Sequence, residues 1–416
     1  MPVILGGGFA ALLLIGAPVA IAIGAASLLS MWLSGGIPLE IGAQRLVAGL
    51  RSFPLMAIPL FVMAGALMNS GGITRRLIDF AYAAVGSIRG GLAAVNILTN
   101  MIFGGISGSS VADASATGKI LIPQMVARGY PAGFAAALTA LASTIAVIIP
   151  PSINLIIYGV TAEVSIGSLF FWGLYIGLGF GAVYILTAYV IARVKGYPAE
   201  DRVSSRQLLR STKDALLALL IPIVVLGGIR FGVFTATEGG AVAVLIALIL
   251  GGLVYRELTW GRIKHAMTES LMLIAAIMLI ISMAQLYSWA LVTGGIPSLI
   301  ADFVLGISAN PVVILLVVNV LFLFIGMVLE GNAAIIIFTP ILLPVAVAVG
   351  IDPIHLGLII VINLAIGLLT PPVGISLLIT TRIAGVPLHE SARAALPLLG
   401  VALGLLAAVT YIPFLF

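Results

Sequence analysis

Long apolar runs separated by short polar breaks make up nearly the whole chain, and the breaks carry most of the information. Met1–Leu33 is almost uninterrupted apolar sequence, either one long tilted span or two short ones hinged near Gly16-Ala17-Pro18. The stretch with Glu40, Arg45 and Arg51 reads as a loop. Further apolar runs begin near Phe53, Gly167, Ala215, Ala241, Leu271 and Ala394, each suited to crossing a hydrocarbon core that needs about 20 residues. Gly71–Arg89 and Gly294–Phe303 have mixed faces, the pattern of helices lying along a membrane interface.

Two kinds of break stand out. Leu92–Phe103 is too short to span and runs into Gly104-Gly105-Ile106-Ser107-Gly108-Ser109-Ser110-Val111-Ala112-Asp113, after which Val111–Val126 leads back to Arg128. This predicts a re-entrant hairpin over about 90–128, whose polar tip must be buried in protein or line a wet cavity. A second hairpin is expected over about 312–349, with Glu330-Gly331-Asn332 at its tip. The other kind is the double proline. Pro150-Pro151 interrupts 131–158 and Pro371-Pro372 interrupts 355–381, and two consecutive prolines remove two backbone donors and free carbonyls one turn earlier.

Composition narrows the class. With 416 residues, 62% hydrophobic, only 8% charged and a mean hydropathy of +1.29, the chain reads as an all-α polytopic membrane protein whose medium is the lipid bilayer. Its 48 Gly and 21 Pro exceed what simple spans need and favour broken helices. No cysteine means no disulfide framework, thiolate metal site or thiol nucleophile. The formal charge of +5 sits mostly in short loops, where it reports orientation rather than nucleic-acid binding. The apolar N-terminus lacks a basic n-region and reads as a helix rather than a signal peptide. No nucleotide loop, metal cluster or catalytic triad is found, so the chain is expected to be neither an enzyme nor an ATP-driven pump.

The halves echo each other. Gly71-Gly72-Ile73 matches Gly294-Gly295-Ile296, Asp79-Phe80 matches Asp302-Phe303, and Val95-Asn96 matches Val318-Asn319. Further on, Gly105 matches Gly326, Pro123 matches Pro344, Gly129 matches Gly350, and Pro150-Pro151 matches Pro371-Pro372. This predicts a first repeat over 1–195, a cytoplasmic linker over 196–214 and a second repeat over 215–416, each with about five spans, one hairpin and a broken helix. Five spans per half invert the second repeat. With the linker inside, Arg75, Arg76, Arg89, Arg128, Arg193, Lys195, Arg256, Arg262, Lys264, Arg382 and Arg393 also fall inside, leaving Arg45, Arg51 and Arg230 outside and Lys119 undecided on a hairpin arm. Inverted repeats with paired broken elements mark a secondary transporter with its site near the midplane.

A dehydrated cation needs several oxygen ligands. Ser107, Ser109, Ser110 and Asp113 are expected to face Ser143–Pro151, and Glu330, Gly331 and Asn332 to face Asn363 and Thr370–Gly374. Soft ligands are lacking, which favours sodium over a transition metal. Half-helix N-termini at the same breaks would point positive dipoles at an anionic solute. Asp113 and Glu330 are the carboxylates placed at depth, each costing roughly +2.5 to +3.5 kcal/mol on the insertion scale, with capping of a return arm the plainer role for either. Glu238 reads as a helix cap; His265, His355 and His389 read as solvated at loop edges; Trp32, Trp172, Trp260 and Trp289 read as interfacial anchors.

Phe53–Ala64, Gly71–Asp79, Gly104–Asp113, Pro150-Pro151-Ser152, Phe234–Glu238 and Asn363–Gly374 resemble the large membrane subunit of tripartite ATP-independent periplasmic (TRAP) transporters, in family order and across nearly the whole chain. The resemblance implies a fold of the ion-transporter superfamily working as an elevator. It also implies sodium-coupled import of a carboxylate, such as a C4-dicarboxylate or sialic acid, across a bacterial inner membrane. Its implied partners are a small four-helix membrane subunit and a periplasmic substrate-binding protein. No four spans precede Met1, so the small subunit is expected on a separate chain. By position, one sodium would take Ser107, Asp113 and the backbone of Ala146, Ile149 and Pro151. A second would take Gly326, Gly331 and Thr370, and substrate would touch Ser109, Asn154 and Glu330. Ala146 stands where the family pattern leads one to expect Gly, and Glu330 where it leads one to expect Asp. The alternatives are a stand-alone sodium/carboxylate symporter of the same broad superfamily and, from another class, a channel or assembly scaffold.

Overall fold

The computed structural model describes residues 2–33, 38–197 and 204–414. Among them are helices and no strand. The first half runs α1 (Pro2–Leu14), α2 (Val19–Leu33), α3 (Leu39–Leu50), α4 (Ala57–Ser70), α5 (Ile73–Val85), α6 (Gly91–Ser107), α7 (Ser110–Ala127), α8 (Ala132–Thr144), α9 (Ile153–Thr161) and α10 (Ile166–Lys195). The second runs α11 (Ser205–Arg230), α12 (Ala236–Leu248), α13 (Trp260–Thr293), α14 (Ile296–Ile307), α15 (Pro311–Val328), α16 (Gly331–Ala348), α17 (Pro353–Gly367), α18 (Ile375–Ala384) and α19 (Leu388–Tyr411). Among the described residues, 8 helical segments are long and apolar enough to cross a membrane, α10, α11, α13 and α19 among them.

The N-terminal run is two helices, not one. Gly16 adopts φ +83°, a left-handed conformation that ends α1, and α2 folds back so that Ala26 lies beside Gly8. Residues 39–50 correct the sequence reading: they form α3 rather than a loop. Together α3, a 3₁₀ turn at Phe53–Met56 and α4 make a broken rod along the unbroken α13. The contact is close because small residues line it. A methyl at Gly49 would lie 2.7 Å from Gln285 Cγ, and α2 packs on α13 as closely, since a methyl at its Gly24 would lie 2.4 Å from Met283 Sδ. The Ser282 hydroxyl donates to the Leu46 carbonyl at 2.8 Å, and Arg45 stacks 5.5 Å over Trp289.

Two more differences concern polar residues. The polar stretch after Lys195 is partly helical: Ser204 caps α11 by accepting from the Gln207 N–H, so Arg206, Arg210 and Lys213 ride on that helix. Arg202 and its neighbours at 198–203 lie outside the described residues. His355, expected to be solvated, has its Nε2 2.9 Å from the Val409 carbonyl.

The Glu238 reading holds. The Thr235 N–H donates to Glu238 Oε2 at 2.7 Å and the Glu238 N–H donates to Thr235 Oγ1 at 3.3 Å, a closed capping box at the start of α12. Removing such a cap costs about 0.5–2 kcal/mol. Thr235→Ala should therefore lower the Tm of the detergent-purified protein, while Thr235→Ser should leave it near that of the parent.

Candidate functional site

The two hairpins and the two proline breaks meet. In the first, α6 ends at Gly108 with φ +61°, and Ser109 caps α7 by accepting from the Ala112 N–H at 3.4 Å. The glycines of the tip exist for close approach. A methyl on Gly108 would sit 2.5 Å from the Pro151 carbonyl oxygen, and one on Gly104 would sit 2.6 Å from Ala146 Cα. Gly105 lies against the Pro150 carbonyl oxygen and Ile149 Cγ2. Of the first residue set, Ser107, Asp113, Ala146, Ile149 and Pro151 are thus gathered around one tip. Pro150-Pro151 and Pro371-Pro372 are both cis peptides.

Asp113 is 1% exposed. It does not cap α7, since Ser109 does. Its Oδ1 accepts a short hydrogen bond from the Ser107 hydroxyl, while its Oδ2 is buried without a donor. A buried carboxylate oxygen with no partner is costly unless a cation or donor reaches it, so the site has the chemistry a hard cation would complete. Ser110 meets the expected Ser143–Pro151 stretch, its hydroxyl 3.0 Å from Ser143 Oγ on α8, and lies equally close to Ser376 Oγ on α18, which the sequence did not point to.

The second tip differs. Gly326 packs directly on α17, since a methyl there would lie 3.1 Å from Leu364 Cα, and one on Gly367 would meet the Gly326 backbone. Gly331, however, lies against Asn154 on α9, in the other half of the chain; a methyl on it would sit 2.9 Å from Asn154 Nδ2. Asn363 pairs elsewhere, donating to Asn319 Oδ1 at 2.7 Å, and Asn319 donates to Thr410 at 3.2 Å. Thr370 donates its hydroxyl to the Ile366 carbonyl at 2.7 Å, and its own carbonyl oxygen lies against Gly374. Glu330 caps α16: Oε2 accepts from the Ala333 N–H at 3.3 Å and Oε1 from the Asn332 amide.

These contacts chain four half-helix N-termini together. Ser110 of α7 touches Ser376 of α18, Gly108 lies against Ser152 and Ile153 at the start of α9, and Asn154 of α9 touches Gly331 of α16. Each N-terminus carries the positive end of a helix dipole, which suits an anion. At α18, however, the Ser376 and Leu377 N–H groups already donate to the Leu368 carbonyl, and at α16 Glu330 supplies a carboxylate of its own. Below the first tip a buried ladder, Thr139–Asn96–Asn100–Thr117, ties α8, α6 and α7 into one block. Asn96 was visible in the sequence only as a repeat marker; a lone Asn on an apolar helix was the available signal.

The family described as "Tripartite ATP-independent periplasmic transporter, DctM component" matches residues 7–415. The C4-dicarboxylate TRAP transporter large permease protein DctM of Pseudomonas aeruginosa is 45% identical over 361 residues, covering 87% of this chain and 84% of its own. The sialic acid TRAP transporter large permease protein SiaM of Vibrio cholerae is 39% identical over 406 residues, covering 98% and 95%. The isethionate TRAP transporter permease protein DctMQ of Oleidesulfovibrio alaskensis is 40% identical over 411 residues, 99% of this chain but only 65% of that longer protein. Among solved structures, the YdaH transporter of Alcanivorax borkumensis superposes with a TM-score of 0.62 at 15% identity, over 90% of this chain and 89% of its own, a likeness of fold.

Proposed function

The chain belongs to the DctM component family of tripartite ATP-independent periplasmic transporters, and from that premise we propose that it is the sodium-coupled permease subunit importing an organic anion, a carboxylate in the first instance. It is a multi-pass permease of the bacterial inner membrane and not an enzyme. The observation that carries the reading is the meeting of the α7, α9, α16 and α18 N-termini beside the buried, half-satisfied Asp113. An anionic headgroup suits the first feature and a sodium ion the second. Relatives named for C4-dicarboxylate, sialic acid and isethionate fit a site that recognises negative charge and leaves the rest of the solute free to vary.

On this reading sodium takes Ser107, Asp113 and the carbonyls of Ala146, Ile149 and Pro151. A second ion takes Gly326, Gly331 and Thr370. Ser109 and Asn154 face the solute, and Glu330 acts by holding the α16 N-terminus in place. The halves are inverted repeats, the first hairpin opening to the cytoplasm and the second to the periplasm. The ion pair of Arg76 on α5 with Glu257 (2.7 Å) fits that arrangement, since the positive-inside pattern puts both on the cytoplasmic side. The hairpin block moves as an elevator against α4, α12 and α13. Substrate arrives on a periplasmic binding protein, and a small four-helix membrane subunit completes the complex.

The test is uptake into proteoliposomes holding this chain with its small subunit. Uptake should require an inward sodium gradient and substrate-loaded binding protein. Equal uptake with potassium replacing sodium would remove the coupling. Uptake by this chain alone would replace the tripartite reading with a stand-alone symporter.

A further inference from the structure

Between α6, α10 and α11 lies a cavity of about 590 Å³. Its inner end is formed by Gly105, Ile149 and Pro150, beside the first proline break; Leu98, Leu174, Leu219 and Leu226 are among its apolar walls. Its outer lip is exposed, with Ile223 63% and Tyr175 57% accessible. Where α11 ends, the wall closes on Arg230, and a second hollow of about 370 Å³ continues past it, lined by Ser165, Ser168, Trp172 and the same Arg230. The guanidinium lies 4.4 Å over the Phe171 ring, and among the described residues no carboxylate is paired with it. The larger cavity is apolar, the hollow beyond it is polar, and Arg230 stands between the two.

Water is a poor occupant, since a cavity lined by apolar side chains offers it too few hydrogen bonds. An extended hydrocarbon chain meets the wall chemistry, apolar along Leu98, Leu174, Leu219 and Leu226. The unpaired Arg230 adds the complement for a negative headgroup, and a guanidinium suits phosphate in particular. We propose that this groove holds one acyl chain of an anionic phospholipid, with its phosphate on Arg230. The lipid then fills the gap between α11 and the α6–α10 face of the hairpin block.

The test uses the purified chain in nanodiscs carrying phosphatidylglycerol or phosphatidylcholine with a photoreactive diazirine near the acyl terminus. Adducts should concentrate on 219–226 of α11 and 98–102 of α6, at least 5-fold more with phosphatidylglycerol. Arg230→Gln should erase that preference. Gly227→Leu should lower labelling by both lipids; it lines the groove, and an added Cβ there meets no atom within 4 Å, so the fold has room for it. Equal labelling by the two lipids, or an unchanged preference in Arg230→Gln, overturns the assignment. Loss of labelling on adding inorganic phosphate would make it a free-anion site, and loss on adding the small membrane subunit would make it a protein interface.

Discussion

Asp113→Asn should reduce sodium-driven uptake by at least 100-fold while leaving the protein folded. The side chain keeps its shape, and its Oδ1 still accepts from the Ser107 hydroxyl. What disappears is the negative charge beside the unpartnered Oδ2. Removing one member of a buried charge pair costs about 3–5 kcal/mol. At about 1.4 kcal/mol per tenfold, that is at least a hundredfold loss of ion occupancy. Normal expression and a monodisperse elution profile should accompany the loss. Undiminished uptake at saturating sodium would remove Asp113 from the ion site.

The second large effect is expected at Gly108. An alanine there pays about 1–2 kcal/mol for the left-handed conformation at φ +61°. It also places a methyl 2.5 Å from the Pro151 carbonyl oxygen, a backbone atom that cannot swing aside. The tip must back away from the break, separating the Ser107–Asp113 pair from the carbonyls opposite. Gly108→Ala should cost more than tenfold in uptake and lower Tm. Gly129→Ala is the matched control. Gly129 has φ +86° but nothing within 4 Å of an added Cβ, so it pays the backbone strain alone. Equal losses in the two variants would mean that the close packing of the tip is unimportant.

Some of this was legible in the residues and some was not. The first hairpin was readable because a short apolar arm, a Gly/Ser tip and a returning arm leave few other ways to bury backbone in a bilayer. The broken helices were readable because two adjacent prolines cannot continue a helix. Helix α3 was misread because Glu40, Arg45 and two glycines dilute its apolar face; those glycines are there for contact with neighbouring helices, Gly49 with α13, which local pattern does not encode. Ser110 meets the expected stretch at Ser143, but its second partner was out of reach for a similar reason. Ser376 lies 266 residues away, and a hydroxyl carries no mark of its partner. Asn363 was expected to face the second tip, yet its Nδ2 donates to Asn319 on α15 and to the Ile359 carbonyl, while its Oδ1 stays buried without a donor. For Glu330 both roles were foreseeable, and the observed geometry is the cap, as expected of a carboxylate beside free N–H groups.

The claim at the centre is that the first hairpin tip and the first proline break together form a sodium site closed by Asp113. A ligand that binds only the folded state raises stability, by about 2.7 kcal/mol at a hundredfold excess over its Kd. The direct measurement is therefore Tm against sodium chloride, with potassium chloride at equal ionic strength as reference, for the parent chain and for Asp113→Asn. The account predicts a saturable, sodium-specific rise in the parent that shrinks markedly in Asp113→Asn. A parent Tm indifferent to sodium, or the same rise in the variant, would contradict it.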